Sequence, residues 1–591
     1  MTSGYILYIL FSLLVFWAVN RFMMRRTKKK ADIKTTTPLT ESKMDTPNNT
    51  VKSSTYTAKT TGETAHVTNT ELDVNKPVYE QVKSQGALVE YGKGITLGKV
   101  ITALMIGMFV AILNQTLINV ALPVLINDFS ISTSTAQWLT TGFMLVNGIL
   151  VPISAYMIQR FTYRQLFLTA MLFFTIGSII CAISFNFPLM MLGRVIQAVG
   201  AGILMPLGTN VFMTLFPPDK RGAAMGMMGI AMILAPAIGP TVTGWVIQNY
   251  HWNVMFYGMS IIGIVSLIIG FFWFKIYQPT KDVKLDIPGV IFSTLGFGSL
   301  LYGFSEAGNK GWDSGIVIST MVIGIIFIVL FIYREMTMKI PMMDLRALKY
   351  SGFSFTLLIN IIVTMSLFGG MLLLPVYLQS IRGFSPLDSG LLLLPGSLLM
   401  GLMGPISGKL LDKIGIKPIA IFGLAIMTYA TWELTKLSMD TSYGHILSIY
   451  ILRSFGMSFI MMPIMTAGMN ALPLRMIPHG NAISNTIRQL AGSIGTAILV
   501  TVMTQQTTGH MGDISNQLDK TNPAIANSMT EIGQQMGNSN LGSQVVMGQL
   551  QKMATINGIN DAFWVATALS FLAFVLAFFL KGKDHYSTDE V

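Results

Sequence analysis

Long apolar segments separated by short polar loops make up most of the chain from residue 98 onward. A helix crosses a hydrocarbon core of about 30 Å with about 20 apolar residues. Lipid offers no partner to a free backbone amide, so such segments must be helical. The pattern therefore predicts an all-α membrane protein with fourteen spans, near residues 100–123, 136–158, 165–185, 188–212, 222–247, 254–276, 287–306, 315–334, 352–380, 387–411, 417–438, 443–468, 481–504 and 560–581.

The first 97 residues have a different character. Residues 4–22 form one more apolar segment, and a basic cluster follows it without a basic region before it. This order predicts an uncleaved N-terminal hydrophobic anchor, residues 1–22, with its N-terminus outside the cell. Residues 23–97 are rich in Thr, Lys and Asn and poor in large apolar side chains, which predicts a disordered cytoplasmic linker.

Lysine and arginine are concentrated in the loops that follow even-numbered spans. Because basic loops are retained in the cytoplasm, both ends of the fourteen-span core of this multi-pass membrane protein are predicted to face the cytoplasm.

A repeat within the chain predicts its domain organisation. It indicates an N-terminal six-helix bundle (98–277), two inserted helices (285–336), and a C-terminal six-helix bundle (350–583) that includes an external loop (505–559). Duplicated sets of spans are typical of transporters in which one half moves against the other. The repeated elements are Leu122-Pro123 with Leu374-Pro375, Pro152-Ile153-Ser154 with Pro405-Ile406-Ser407, Arg194 with Arg453, and Met205-Pro206 with Met462-Pro463.

Composition excludes several other classes of protein. Only 11% of the residues are charged, and the net charge of +12 comes from residues at span ends rather than from one patch, which argues against nucleic acid binding. The single cysteine, Cys181, lies in an apolar span. The chain has no phosphate-binding P-loop, no GxSxG and no Cys/His cluster. We therefore expect no enzyme activity, no cofactor and no metal site.

Polar side chains interrupt the first span. Asn114, Gln115 and Asn119 lie within two turns of one membrane helix, where polar groups need partners or water. Two interpretations follow: these residues line a substrate cavity, or their amides hold helices together. Asparagine does not titrate, so Asn114 cannot carry a proton.

Other motifs combine charge with small residues. Span 4 carries Arg194 and Gln197, which share a helix face, and a buried arginine must face protein or water. The loop after span 2 contains Arg160, and its repeat contains Asp412 and Lys413. A carboxylate at a helix end can hold a neighbouring helix N-terminus. Span 5 carries small residues and prolines that allow close packing and a kink, namely Gly226, Pro236, Gly239, Pro240 and Gly244.

These motifs, in this order, resemble those of the major facilitator superfamily, and within it the fourteen-span drug:proton antiporters of the EmrB/QacA type, over about residues 98–583. The resemblance implies a major facilitator fold and proton-coupled efflux of hydrophobic or amphipathic drugs and toxic compounds by alternating access. It implies a gate at Arg160, Asp412 and Lys413, an antiporter motif in span 5, and a cavity at Asn114, Gln115, Asn119 and Gln197. The chain departs from the family pattern at Asn114 and Gln159, where acidic residues are usual, and at Ala235 and Thr243, where glycines are usual.

A proton-coupled exporter needs a carboxylate that gains and loses a proton. With Asn114 and Gln159 removed as candidates, we expect coupling to involve Glu433 or Asp128, with Arg194 tuning proton affinity. Glu306, Asp286 and Asp561 also lie in or near spans, and sodium coupling or another relay stays open.

The substrate is indicated only by class. The chain contains 42 methionines. Methionine side chains form adaptable apolar surfaces that suit varied ligands. Small-molecule substrates, protons and the bilayer are the expected partners. One alternative is an exporter of an endogenous lipid, peptide or nucleotide. Another is a non-transporting membrane receptor or scaffold.

Overall fold

The computed structural model describes residues 90–91, 94–131, 133–280, 282–517 and 539–580. The predicted anchor and nearly all of the predicted linker lie outside these residues. The helices are α1 (Leu97–Asp128), α2 (Thr133–Arg160), α3 (Tyr163–Ala182), α4 (Phe187–Leu215), α5 (Arg221–Asn249), α6 (Asn253–Trp273), α7 (Ile287–Lys310), α8 (Gly315–Thr337), α9 (Ser351–Val376), α10 (Pro386–Ile414), α11 (Ile416–Glu433), α12 (Tyr443–Ser458), α13 (Met461–Asn470), α14 (Ile477–Gln517) and α15 (Ser539–Ala577).

Local sequence signals explain several helix limits. Thr162 forms a reciprocal capping box with Gln165 at the start of α3, and the Asn186 side chain accepts a 2.9 Å hydrogen bond from Leu189 N at the start of α4. Both contacts satisfy amides that a helix N-terminus leaves free. Gly311 and Gly415 follow α7 and α10 with φ values of 80° and 81°, a conformation that favours glycine.

All fourteen predicted spans fall on helices. Among the described residues, 13 helices are long and apolar enough to cross a membrane. The eleventh predicted span corresponds to α11, which has 18 residues, carries Lys417 and Glu433 near its ends, and is not one of the 13. The twelfth predicted span is divided into α12 and α13. Pro463, the third residue of α13, lacks the N–H that would continue the helical hydrogen bonds across the break.

The predicted external loop, residues 505–559, is helical at both of its ends. Residues 505–517 continue α14, and residues 539–559 form the first part of α15. The two helices pack against each other, with Thr507 of α14 against Gly558 of α15. This packing lets both helices extend beyond their apolar cores. Residues 518–538 lie outside the described residues.

The inserted helices contact both predicted bundles. The Trp138 ring on α2 stacks on the Tyr302 ring of α7 with centroids 5.6 Å apart. On the other side, Trp312 Nε1, in the α7–α8 loop, donates a 2.8 Å hydrogen bond to Thr501 Oγ1 of α14. Helix α7 therefore lies against α2 and α14 together.

A short strand pair joins the start of the described chain to the α6–α7 loop. Strands β1 (Glu90–Tyr91) and β2 (Ile276–Tyr277) are antiparallel, with Glu90 opposite Tyr277. This pairing positions the chain that leads into α1. The domain boundaries given above stay predictions.

Candidate functional site

A fully buried polar cluster lies inside the N-terminal half. Asn114 on α1 and Gln197 on α4 exchange two hydrogen bonds, of 3.2 and 3.3 Å, between their side-chain amides. Gln197 Nε2 also donates a 2.8 Å hydrogen bond to Ser178 Oγ on α3. All three side chains have 0% exposure. Amide pairs of this kind hold membrane helices together.

Arg194 completes this cluster. Its Nη1 donates to Gln197 Oε1 at 3.0 Å, and its Nε donates to the Leu139 carbonyl of α2 at 3.2 Å. The guanidinium lies 4.3 Å from the centre of the Phe143 ring. Arg194 is 0% exposed, so this charge faces protein, as a membrane arginine must.

Two of the four predicted cavity residues are fully buried. In this conformation Asn114 and Gln197 make the interhelical amide contact that was the alternative interpretation. Gln115 is half-buried on α1. The side chain of Asn119 lies outside the described residues.

Arg453 occupies the corresponding place in the C-terminal half. Its Nε donates to Thr431 Oγ1 at 3.3 Å, and its Nη2 donates to the Ser366 carbonyl at 3.3 Å. A Cβ on Gly370 would lie 2.7 Å from Nη2 of this arginine. The repeat thus places a buried arginine at the matching position of each half, and each joins neighbouring helices.

A polar ladder runs along α14. Asn481 Nδ2 donates a 2.8 Å hydrogen bond to the Pro206 carbonyl of α4, across the seam between the two halves. Asn485 Nδ2 donates to Asn481 Oδ1 at 2.7 Å, and Arg488 Nη2 donates to Asn485 Oδ1 at 2.7 Å. Both asparagines are buried and Arg488 is half-buried. The three residues share one face of α14.

Sequence reasoning did not select this ladder. Arg488 belongs to a stretch that matches the family, and the spacing of residues 481, 485 and 488 is the available signal. Their contact with Pro206 depends on how α14 packs against α4, which no local pattern contains.

At the basic end of the molecule, predicted to face the cytoplasm, Asp412 contacts the opposite half. The carboxylate of Asp412 on α10 accepts hydrogen bonds from Gly222 N at 2.9 Å and from Ala223 N at 3.1 Å. These amides belong to the first turn of α5, in the other half of the molecule. Nearby, Arg221 Nη1 donates to Asn470 Oδ1 at 3.1 Å.

Glycines allow α5 and α10 to meet backbone to backbone beside this contact. A Cβ on Gly226 would overlap the Gly404 carbonyl, and a Cβ on Gly222 would overlap the Gly408 carbonyl. Further along α5, Gly239 packs against Thr116 of α1, whereas a Cβ on Gly244 would lie 3.6 Å from Leu387.

The predicted motif also includes two prolines of α5. Pro236 is half-buried on α5, and the Pro240 side chain lies outside the described residues. The antiporter motif thus contributes close helix packing on two sides.

The two basic gate residues are placed differently from Asp412. Arg160 forms an ion pair with Asp282 of the α6–α7 loop, in the same half of the chain. Lys413 lies in the last turn of α10. Asp412 makes its two hydrogen bonds across the seam.

The two carboxylates expected to couple protons lie at helix ends. Glu433 Oε1 accepts a 2.9 Å hydrogen bond from Lys436 Nζ, and this ammonium lies 3.5 Å from the centre of the Trp432 ring. Asp128 Oδ2 accepts a 2.7 Å hydrogen bond from Trp252 Nε1. The structure does not bring either carboxylate into contact with Arg194.

An aromatic groove of about 510 Å³ opens between α11 and α15, lined by Trp432, Trp564 and Phe571 among others. It lies within the C-terminal half rather than at the seam. Among the described residues, no group of three or more His, Cys, Asp or Glu side chains could hold a metal ion.

Comparisons with known proteins agree with this architecture. The family model described as Major Facilitator Superfamily matches residues 104–496. The MFS-type transporter YhcA of Bacillus subtilis is 49% identical over 487 residues, covering 81% of this chain and 92% of that protein. The lincomycin resistance protein LmrB of Bacillus subtilis is 36% identical over 484 residues, covering 82% of this chain and 95% of that protein.

A solved structure shares the fold. The human organic anion transporter MFSD10 (TETRAN) aligns with a TM-score of 0.55 at 13% sequence identity, covering 81% of this chain and 99% of that one. The chain is therefore an all-α, multi-pass protein of the bacterial cell membrane, not an enzyme, and it belongs to the major facilitator superfamily of transporters.

Proposed function

We propose that this protein exports hydrophobic or amphipathic toxic compounds from the bacterial cytoplasm in exchange for protons, by alternating access at the seam between its two halves. The observation that carries this proposal is the contact of Asp412 with the first turn of α5, which joins the two halves at their basic end.

Alternating access requires contacts that close one end and can be broken. The Asp412 contact consists of two hydrogen bonds, and beside it glycines bring the backbones of α5 and α10 together without side chains between them. Such an interface separates without leaving large cavities or several buried charges unpaired. The ladder from Asn481 to Arg488 continues from this end along α14. When the seam opens, it supplies amides and one guanidinium to the exposed wall.

We infer the substrate class from the side chains along this wall and from the name of a related protein. Few fixed charges and many apolar side chains favour an amphipathic compound over a highly charged one. LmrB is named a lincomycin resistance protein. Lincomycin is therefore a rational first substrate, with ethidium as a fluorescent cation of a different shape.

The test measures transport in everted membrane vesicles from cells that express the full chain. We expect lincomycin or ethidium to accumulate when respiration acidifies the vesicle lumen, and the accumulation to collapse when an uncoupler is added. Vesicles containing the Asp412→Asn variant serve as a second comparison. Accumulation that is unaffected by the uncoupler would contradict proton coupling.

The principal alternative is export of an endogenous lipid, peptide or nucleotide. In that case neither compound would accumulate, although the protein is present in the vesicles. A growth defect of a deletion strain without any antibiotic would then favour this alternative.

A further inference from the structure

A buried carboxylate that sequence reasoning did not select lies at the end of inserted helix α8. Glu335 is 1% exposed. Its Oε2 accepts a 2.9 Å hydrogen bond from Met343 N. The Met342 amide also faces the carboxylate, but Oε1 is buried and makes no hydrogen bond among the described residues.

The nearest cation is already engaged. Arg334 donates to both oxygens of Asp286 on α7, with Nη2 2.6 Å from Oδ1 and Nε 2.8 Å from Oδ2. None of the ion pairs among the described residues includes Glu335. An isolated buried charge is costly, and binding a proton would remove that cost.

Other titratable and charged groups act on this carboxylate directly or through a neighbour. Asp286 on α7, Arg334 on α8 and Asp344 in the α8–α9 connector (residues 338–350) interact with it electrostatically. Arg346 pairs with Asp344, and His479 on α14 accepts the Asp344 backbone N–H. Asp286 and Asp344 are acidic, so a negative charge on Glu335 adds repulsion that a proton removes.

The connector links Glu335 to the seam. Met343 N bonds Glu335, and the next residue, Asp344, donates its backbone N–H to His479 Nδ1 at 3.0 Å. The other ring nitrogen, Nε2, lies 3.1 Å from the side-chain amide of Gln159 on α2. Since Nδ1 accepts, Nε2 carries the ring proton, and it donates to Gln159 with the amide oxygen turned toward it. The inserted helices, the start of α14 and the end of α2 are thus joined through three consecutive contacts.

We propose that Glu335 is a proton-binding residue of this transporter, and that its protonation loosens the connector and, through His479, the closed basic end of the seam. The proposal rests on the proposed proton-coupled export. Binding adds one proton to the carboxylate and removes one negative charge, without any oxidation or covalent change. Because a neutral carboxyl group accepts the Met343 hydrogen bond more weakly than an anion does, the connector is released when the proton binds.

The first test detects the proton directly. Purified full-length protein is titrated with acid while infrared spectroscopy records the C=O stretch of protonated carboxyl groups. We expect one component, titrating apart from the exposed carboxyls, to disappear in Glu335→Gln and to persist in Asp313→Asn. Asp313 is an exposed carboxylate at the other end of the same helical hairpin. A spectrum unchanged by Glu335→Gln would overturn the proposal.

The second test separates proton coupling from conformational exchange in proteoliposomes. We expect Glu335→Gln to retain exchange of labelled for unlabelled substrate without a gradient, but to lose about tenfold in accumulation driven by a pH gradient, because a neutral amide cannot carry a proton. Glu335→Asp retains a carboxyl group and should restore part of the accumulation. Wild-type levels of gradient-driven accumulation in Glu335→Gln would overturn the coupling role.

The two measurements distinguish the two proposals. If wild-type accumulation ignores the pH gradient, proton-coupled export is wrong. The infrared component still decides whether Glu335 binds a proton.

Discussion

The carboxylate of Asp412 accepts a 2.9 Å hydrogen bond from the backbone N–H of Gly222, the second residue of α5 in the opposite half of the molecule. The neighbouring Ala223 N–H donates to the other carboxylate oxygen. A helix N-terminus leaves amides free and carries partial positive charge, so an anion there is stabilising. We therefore expect this contact to depend on the negative charge of Asp412.

Replacing that charge should favour opening at the basic end. We expect Asp412→Asn to destabilise the closed seam by about 1 kcal/mol, the usual scale of a charge at a helix terminus. A cysteine placed at Met462, which is 3% exposed and packs against Gly229, should then react several-fold faster with a polar thiol reagent. The background is Cys181→Ala.

Lys409 provides the control for this measurement. It is exposed on the same helix, and Lys409→Gln should leave the reaction rate of the cysteine unchanged. If the cysteine reacts at the same rate with Asp412 and with Asp412→Asn, this carboxylate does not hold the seam closed.

Two glycines of α5 should differ sharply in their tolerance of a methyl group. Gly226→Ala directs the new Cβ into the Gly404 carbonyl, which cannot move without shifting α10, whereas at Gly244 the new Cβ meets Leu387 at 3.6 Å, an ordinary contact. Overpacking costs about 1–3 kcal/mol. We therefore expect Gly226→Ala to abolish efflux and Gly244→Ala to retain it. Vesicle efflux normalised to protein content measures both, and equal activities would refute the close-packing argument.

The buried arginine should not tolerate conservative replacement. Lysine lacks the planar fork with which Arg194 contacts Gln197 and the Leu139 carbonyl together. We expect Arg194→Lys and Arg194→Ala to reach the membrane but to lose efflux, with a loss of stability of about 1–3 kcal/mol from the unpaired groups.

Efflux assays and thermal unfolding in detergent check this expectation. Arg475→Ala removes an exposed arginine and should behave as wild type. Normal efflux in Arg194→Ala would remove this residue from the proposed mechanism.

The N-terminal segment should be dispensable for transport. Deleting residues 2–87 leaves β1 and its pairing with β2 intact, so the entry into α1 is preserved. We expect efflux close to that of the full chain. Inactive but membrane-inserted protein would assign a role in transport to the deleted segment.

The sequence motifs predicted contacts within one helix better than contacts between helices. The spacing of Arg194 and Gln197 by three residues predicted a shared helix face, and the two side chains do meet. The acceptor of Asn114 was not predictable, because Gln197 lies on another helix and the choice between cavity and amide contact depends on packing. Glu335 was missed because, at the end of an apolar helix next to Arg334, it resembles an ordinary charged terminus. Its burial is created by the connector that folds back over it.

The sequence by itself determined the all-α membrane architecture, the approximate boundaries of the spans, the repeat and the superfamily. These follow from the transfer of segments of about 20 residues into lipid and from motifs a few residues long, both of which are local properties. Tertiary structure decided which polar groups meet: Asp412 with the start of α5, Asn481 with Pro206, and Glu335 with the connector. These pairings depend on how whole helices lie against one another, since a buried polar group takes its partner from whichever backbone or side chain the packing brings within hydrogen-bond distance.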